Sequence, residues 1–431
     1  MPRFSHRAIP IALAAVLIDT IGFGVVIPVL PRLVTQLGHV DLAHSATIGG
    51  WLLATFAITQ FFAGPVIGNL GDRFGRRPVL LAAMLAFGID YGLMAWAPTL
   101  AWLFVGRAIA GVAGAIYAPA ASMIADVTPP EKRSATFGLI GAAFGIGFIL
   151  GPALGGLIAQ LGPRAPFVAA ALMALTNAAV MATIMPETLA PENRRPFRLR
   201  DAHIVGAFRP LFAAGKAGPL LLAWLLWQLA HNVYYATWSF WAAITFGWDS
   251  TAIGWSLAFS GMVMAIVQGG LSGKVIARIG ERRAVVVGLT SGTCVFLLFA
   301  FVSAGWQAYA LFLLGGCSGF VFPAMQGLLS RMVDATRQGA LQGGVSSMGS
   351  IVMIVTPLMM TNALAIGTRH GFPGAAFLLA SALAGAALII VVARVLGQVA
   401  RHGVRARLSG PLCPGRISCD RAAGAPAQLP G

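Results

Sequence analysis

Three ionisable residues stand inside stretches that are otherwise apolar: Asp19, Asp90 and Arg107. A charge at the centre of a bilayer costs about 2.5–3.5 kcal/mol on insertion scales, so a residue kept there ordinarily has a task. A carboxylate held between burial, which favours its neutral form, and a cation, which favours its charged form, can exchange a proton as its surroundings open to one side or the other. That is the chemistry of proton coupling; the structural alternative for Asp90 and Arg107 is a static ion pair. His231 titrates near neutral pH, or is an ordinary hydrogen-bonded helix residue. Gln60, Gln228, Asn232 and Gln268 are neutral polar groups in the same apolar setting. They can bind a polar ligand or tie one helix to another, at about 0.6 kcal/mol per interhelical bond.

What must position these residues is a set of membrane-spanning helices. The 431-residue chain is 58% hydrophobic and 10% charged, where about 25% charged is usual for a soluble domain. Twelve apolar runs lie near 8–30, 47–69, 78–97, 100–124, 135–160, 165–185, 219–246, 252–277, 284–304, 307–330, 341–367 and 373–396. Each suits the roughly 20 residues that a spanning helix needs, and helix is the form that satisfies the backbone in lipid. With the ends on one side, 25 of the 29 Lys and Arg fall on that side. Three (Arg32, Arg164, Arg369) fall opposite, and Arg107 lies within a span. This asymmetry predicts a multi-pass protein with both termini in the cytoplasm. It also excludes a nucleic-acid surface as the meaning of the +16 net charge, because no soluble basic domain is present. No GxxxxGK[ST] sequence provides for ATP hydrolysis, and the four cysteines, Cys294, Cys317, Cys413 and Cys419, lack zinc spacing. No constellation points to an enzyme.

The charge is gathered abruptly. "GNLGDRFGRRP" (68–78) reappears as "GKVIARIGERR" from Gly273, 205 positions later. The same shift pairs Gly138 with Gly343 and Pro152 with Pro357. The chain therefore reads as two copies of a six-helix unit. The expected boundaries are 1–185, a linker at 186–218 with room for a short interfacial helix, 219–397, and a Gly/Pro/Ala-rich disordered tail at 398–431. Parallel half-repeats with binding between them are a transporter architecture. Gly68 and Gly75 are expected to form a tight turn. Asp72, Arg73, Arg76 and Arg77, with Asp126 nearby, are expected to form a latch between helices. Ala277 stands where the first copy has Asp72, so the latch should be lopsided. Gly141, Gly145, Gly147, Gly151 and Gly155 give span 5 the small-residue spacing of close helix packing, and Pro152 adds a bend. Most of Trp227, Tyr234, Tyr235, Trp238 and Trp241 in span 7 are expected to face lipid or its interface.

These motifs resemble the major facilitator superfamily: "GNLGDRFGRRPVLL" its loop 2–3 signature, "GRAIAG" (106–111) its fourth-helix Arg motif, and "GFILGPALGG" (147–156) the fifth-helix motif of its drug–proton antiporters, carried here by Gly147, Gly151, Pro152, Gly155 and Gly156. "DYGLMA" (90–95), "APFVAAAL" (165–172), "IGERRA" (279–284) and "RQGALQG" (337–343) resemble its tetracycline-efflux branch. The resemblance implies twelve helices in two pseudo-symmetric halves and proton-driven efflux of a small amphipathic drug across a bacterial inner membrane. It implies a monomer with no bound cofactor and magnesium as part of the drug chelate. It also places acidic residues of the branch at Asp19 and Asp90, and glutamines at Gln60 and Gln228. The sequence departs from the branch in the second half. Met264 and Gly292 stand where a span 8 His and a span 9 Asp are usual, which opens a second reading: an exporter of another small molecule or metabolite that has lost the tetracycline site.

Overall fold

The computed structural model describes residues 5–114, 117–129, 133–194, 217–332 and 338–408. It is all-helical, and residues 1–391 form one compact unit. Among the described residues ten helical runs are long and apolar enough to cross a membrane, and they coincide with ten of the twelve expected spans. The other two are broken. Span 4 is Leu100–Ala113 followed by Tyr117–Val127, and span 7 is Gly218–His231 followed by Val233–Phe246. Span 10 is interrupted by a 3-10 segment at Gly316–Phe320. The interruptions in spans 4 and 10 are 205 positions apart at Gly114 and Gly319, so the repeat legible in sequence recurs as a helix irregularity. Span 8 carries a π-helical turn at Val267–Leu271, which contains Gln268. The last helix is Ala375–Leu408, so the tail boundary expected at 397 falls inside a helix. Residues 409–431, and the linker's expected interfacial helix within 195–216, lie outside the described residues.

The remaining long helices are Ser5–Val26 (span 1), Leu42–Phe74 (2), Arg76–Trp96 (3), Arg133–Ile158 (5), Ala165–Ile184 (6), Glu281–Phe299 (9) and Gln338–Arg369 (11). Span 2 packs on span 11 and span 5 on span 8, and these pairings join the first half of the chain to the second. They are tight at one end only. A Cβ on Gly50 would collide with Thr361, and one on Gly254 with the Pro152 carbonyl. A Cβ on Gly156 would lie 2.6 Å from the Ser250 carbonyl oxygen, and Thr251 Oγ1 donates to the Gly156 carbonyl at 2.9 Å. Gly147, Gly151 and Gly155 face span 1, where added Cβ atoms would come within 2.5–2.8 Å of Thr20, Gly24 and Val25. Small residues let the backbones meet there.

Toward the loops rich in arginine the contacts vanish. Cβ atoms added at Gly64, Gly68, Gly141, Gly145, Gly269, Gly270, Gly273, Gly343 and Gly349 would touch nothing within 4 Å. Span 2 buries residues over 43–57 and beyond them only Gly71. Gly68 is thus an interior helix residue in open space and not part of a tight turn; Gly75, at φ +105°, makes the turn alone. The two halves are sealed at the far end and parted at the Arg-rich end. In a chain whose native cysteines are replaced by serine, Gly68→Cys should react with a water-soluble maleimide added to inside-out vesicles, and the buried Thr361→Cys should not. Equal labelling of the two sites would contradict this state.

Candidate functional site

Asp90 and Arg107 meet in the first half. Arg107 Nη2 donates to Asp90 Oδ2 at 2.6 Å, and both residues are buried, at 0% and 3% exposure. The absence of a side chain at Gly106 lets the carboxylate in: a Cβ there would lie 2.6 Å from Asp90 Oδ1. The guanidinium also contacts Met94 Sδ at 3.0 Å and lies 5.9 Å from the centroid of the Phe56 ring. Asp90 Oδ1 and Arg107 Nε have no hydrogen-bond partner. Asp19 differs in kind. It is half-buried and makes no hydrogen bond or ion pair among the described residues. Tyr91 lies near both carboxylates. It follows Asp90 in the chain, its hydroxyl lies where a Cβ on Gly22 would be (2.6 Å), and it is within electrostatic reach of Asp19, Asp90 and Arg107.

The neutral polar residues do not converge on one point. Gln60 Nε2 donates to the Gly114 carbonyl at 2.9 Å, holding span 2 to the break in span 4. Asn232 Nδ2 donates to the Gln228 carbonyl at 2.8 Å, at the break in span 7. Gln268 sits on the π turn and Met264 on the helix just before it, both beside Gly319. The His231 ring stacks on Trp227 (5.2 Å between centroids) and meets the edge of Tyr234 (6.0 Å), with Nδ1 buried and unpaired.

The aromatics of span 7 do not face lipid. Trp227, Trp238 and Trp241 are buried, and Tyr234 sits among Phe296, Phe299, Phe312 and Phe377 at 5.5–5.9 Å. Trp238 Nε1 finds its partner inside, donating to Ser256 Oγ at 2.9 Å. A half poor in charged groups fills its core with rings, each tilted or edge-on pair adding about 0.5–1.5 kcal/mol. Trp227 also explains Gly292: a Cβ there would lie 2.5 Å from a carbon of its six-membered ring. An indole thus fills the space over Gly292, where the resemblance to the tetracycline-efflux branch implies an acid.

At the Arg-rich end, Arg76 pairs with Asp72 (2.6 Å) and reaches Asp126 (3.6 Å). The Thr188 hydroxyl also donates to Asp126 Oδ2 at 3.1 Å. Arg77 donates to the Ala182 carbonyl at 2.6 Å, while Arg73 lies over the Phe74 ring and makes no ion pair among the described residues. The centre of the cluster is a residue that sequence reading passed over. Glu187 accepts from the backbone N–H of Arg76 (2.9 Å) and Arg77 (3.1 Å), the first donors of span 3, and from those of Thr188 and Leu189. A carboxylate suits the positive end of a helix, and Gly75 leaves room for it. Its signal was "PET" directly after span 6. The second copy is lopsided, as Ala277 implied, and in an unforeseen way. Glu281 pairs with Arg331 at 2.9 Å. These residues lie 205 positions after Arg76 and Asp126, with the charges exchanged.

The Major Facilitator Superfamily model matches residues 12–357. The chain belongs to that superfamily. Within it, this major facilitator is 38% identical over 379 residues to the tetracycline resistance protein, class C, of Escherichia coli, covering 88% of this chain and 95% of the relative. It is 35% identical over 410 residues to the class E protein of the same organism, covering 94% and 100%. A bacterial homologue of the human lysosomal transporter Spinster, solved in an inward-facing and unoccupied conformation, superposes with a TM-score of 0.70 at 16% identity, covering 92% and 96%. This major facilitator is accordingly a multi-pass membrane transporter related to drug-efflux proteins, and not an enzyme.

Removing one member of a buried pair strands the other. Arg107→Ala should cost about 3–5 kcal/mol, read as a lowered melting midpoint in detergent, and adding Asp90→Asn should recover most of the loss. Glu187→Gln should cost about 1–2 kcal/mol, as for a lost helix cap, with no change in Arg107→Ala's effect when the two are combined.

Proposed function

We propose that this transporter exports tetracycline-type drugs across a bacterial inner membrane in exchange for protons, with both termini and the Arg-rich loops in the cytoplasm. The observation that carries the reading is Asp19: a half-buried, partner-free carboxylate in mid-span, one helical turn from the Tyr91 hydroxyl. Such a group can lose a proton to one side of the membrane and accept the positive charge of a drug–magnesium chelate from the other. Asp90 and Arg107 hold the adjoining charge balance, and Tyr91 relates the two. The protein works as a monomer of two six-helix units, 1–185 and 219–397. Its transport state here parts the units toward the cytoplasm. Asp72, Arg76, Arg77 and Asp126 latch that end when the units close, and Gly147, Gly151, Pro152, Gly155 and Gly156 form the seal at the opposite end. Relatives named for tetracycline resistance, 34–38% identical, support the drug class.

A specific observation favours a second reading. Trp227 covers Gly292, and Met264 rather than an imidazole sits beside Gly319. A second half without those polar groups suits an exporter of another small molecule or metabolite.

Inside-out vesicles loaded to an acid interior distinguish the two. Tetracycline with magnesium should release protons, seen with a pH-sensitive dye, and Asp19→Asn should abolish the release while the variant remains in the membrane. No release from the wild-type chain, with its presence in the membrane verified, rejects tetracycline in favour of the second reading.

A further inference from the structure

The last helix is longer than a membrane asks of it. Ala375–Leu408 has 34 residues, about 51 Å at 1.5 Å per residue, against a hydrocarbon core of about 30 Å. Its stretch apolar enough to cross a membrane ends at Arg394, and the compact unit ends sooner, at Val391. The helix then runs on to Leu408.

The continuation has a character of its own. It carries Arg401, Arg405 and Arg407, with His402, directly after Arg394, and no acidic residue occurs between Asp334 and Asp420. Orienting a span in the membrane needs only the number of cations beside it. Here their spacing is ordered as well. At 3.6 residues per turn, Arg394, Arg401 and Arg405 fall within about 40° of one another around the helix axis, and Gln398 lies beside them. Leu396, Val399 and Ala406 fall on the opposite side. Arg407 and Leu408, in the last turn, depart from the pattern. Cations along one side of a helix and apolar residues along the other suit the boundary between lipid headgroups and acyl chains.

The segment is also a poor helix by itself. Gly397 and Gly403 are unfavourable in a helix interior, and Val395, Val399 and Val404 are β-branched. A stretch so short and so composed is marginal in water, so a partner must favour the helical form. A nucleic acid or an acidic protein surface would answer the arginines alone. An anionic lipid surface answers the arginines and the apolar side together.

We propose that residues 395–408 dock as an interfacial helix on membrane rich in anionic phospholipid, the arginines supplying the attraction and the apolar side the burial. The docking goes beyond the export reading and does not depend on it.

Amide hydrogen exchange tests it on the full-length chain, held in nanodiscs of phosphatidylcholine or of phosphatidylcholine and phosphatidylglycerol in equal parts. Exchange over 395–408 should be slower in the anionic discs. Each arginine near such a surface favours contact about five-fold, so Arg401→Gln/Arg405→Gln should speed exchange there about 25-fold. Molar salt should do the same to the unchanged chain. Exchange over 375–391 serves as the control and should not move. Slow exchange in both kinds of disc overturns the proposal, because the covering surface is then not anionic lipid. Fast exchange in both overturns it too, as does a slowing that survives the double variant and the salt.

Discussion

A charge inside a bilayer must either find its opposite or have a way to shed itself. Asp90 and Arg107 take the first. Their 2.6 Å contact is enclosed on all sides, with Gly106 yielding the space for the carboxylate and Met94 and Phe56 supplying soft, polarisable neighbours for the guanidinium. Desolvating two ions is costly, and such a pair is repaid mainly by geometry; it is the kind of contact that fixes how two helices are set against each other. Asp19 makes no ion pair among the described residues, and under the function proposed above it is the group that takes the second.

The two halves share a backbone plan but not a chemistry. Breaks in spans 4 and 10 fall at matching positions, as do the positive-φ glycines Gly75 and Gly280. The charges at the turns are exchanged, Arg76–Asp126 in one copy and Glu281–Arg331 in the other. The second pair is the weaker: Arg331 is largely exposed, where an ion pair contributes about 0–1 kcal/mol, and among the described residues no equivalent of Glu187 caps span 9. The interior diverges further, with an ion pair in the first half and a continuous aromatic cluster in the second. The buried ion pair thus lies on one side of the interface and the ring packing on the other.

Much of this was legible in the chain. Hydropathy and the placement of Arg and Lys yielded the spans, because lipid imposes a length and a composition that few other environments do. The 205-residue shift disclosed the repeat, and isolated ionisable residues disclosed Asp19, Asp90 and Arg107. Other features depended on which face of a helix looks inward, and hydropathy does not report that when every face is apolar. The burial of Trp227, Trp238 and Trp241 was missed for this reason: an aromatic suited to the interface suits a core equally well. Glu187 was missed because the partners that make it a cap, the N–H groups of Arg76 and Arg77, are more than a hundred residues away and leave no mark in composition. Gly68 was misplaced because the same residue type serves a turn and a helix that must stand clear of its neighbour.

The contact between Trp227 and Gly292 has a consequence for how the chain can change over generations. An acid cannot be introduced at 292 while the indole is in place, and removing the indole first opens a void, a loss of about 3–5 kcal/mol for a residue of that size. An acid at 292 therefore calls for a smaller residue at 227 in the same step, which makes the two positions a coupled pair, to be exchanged together.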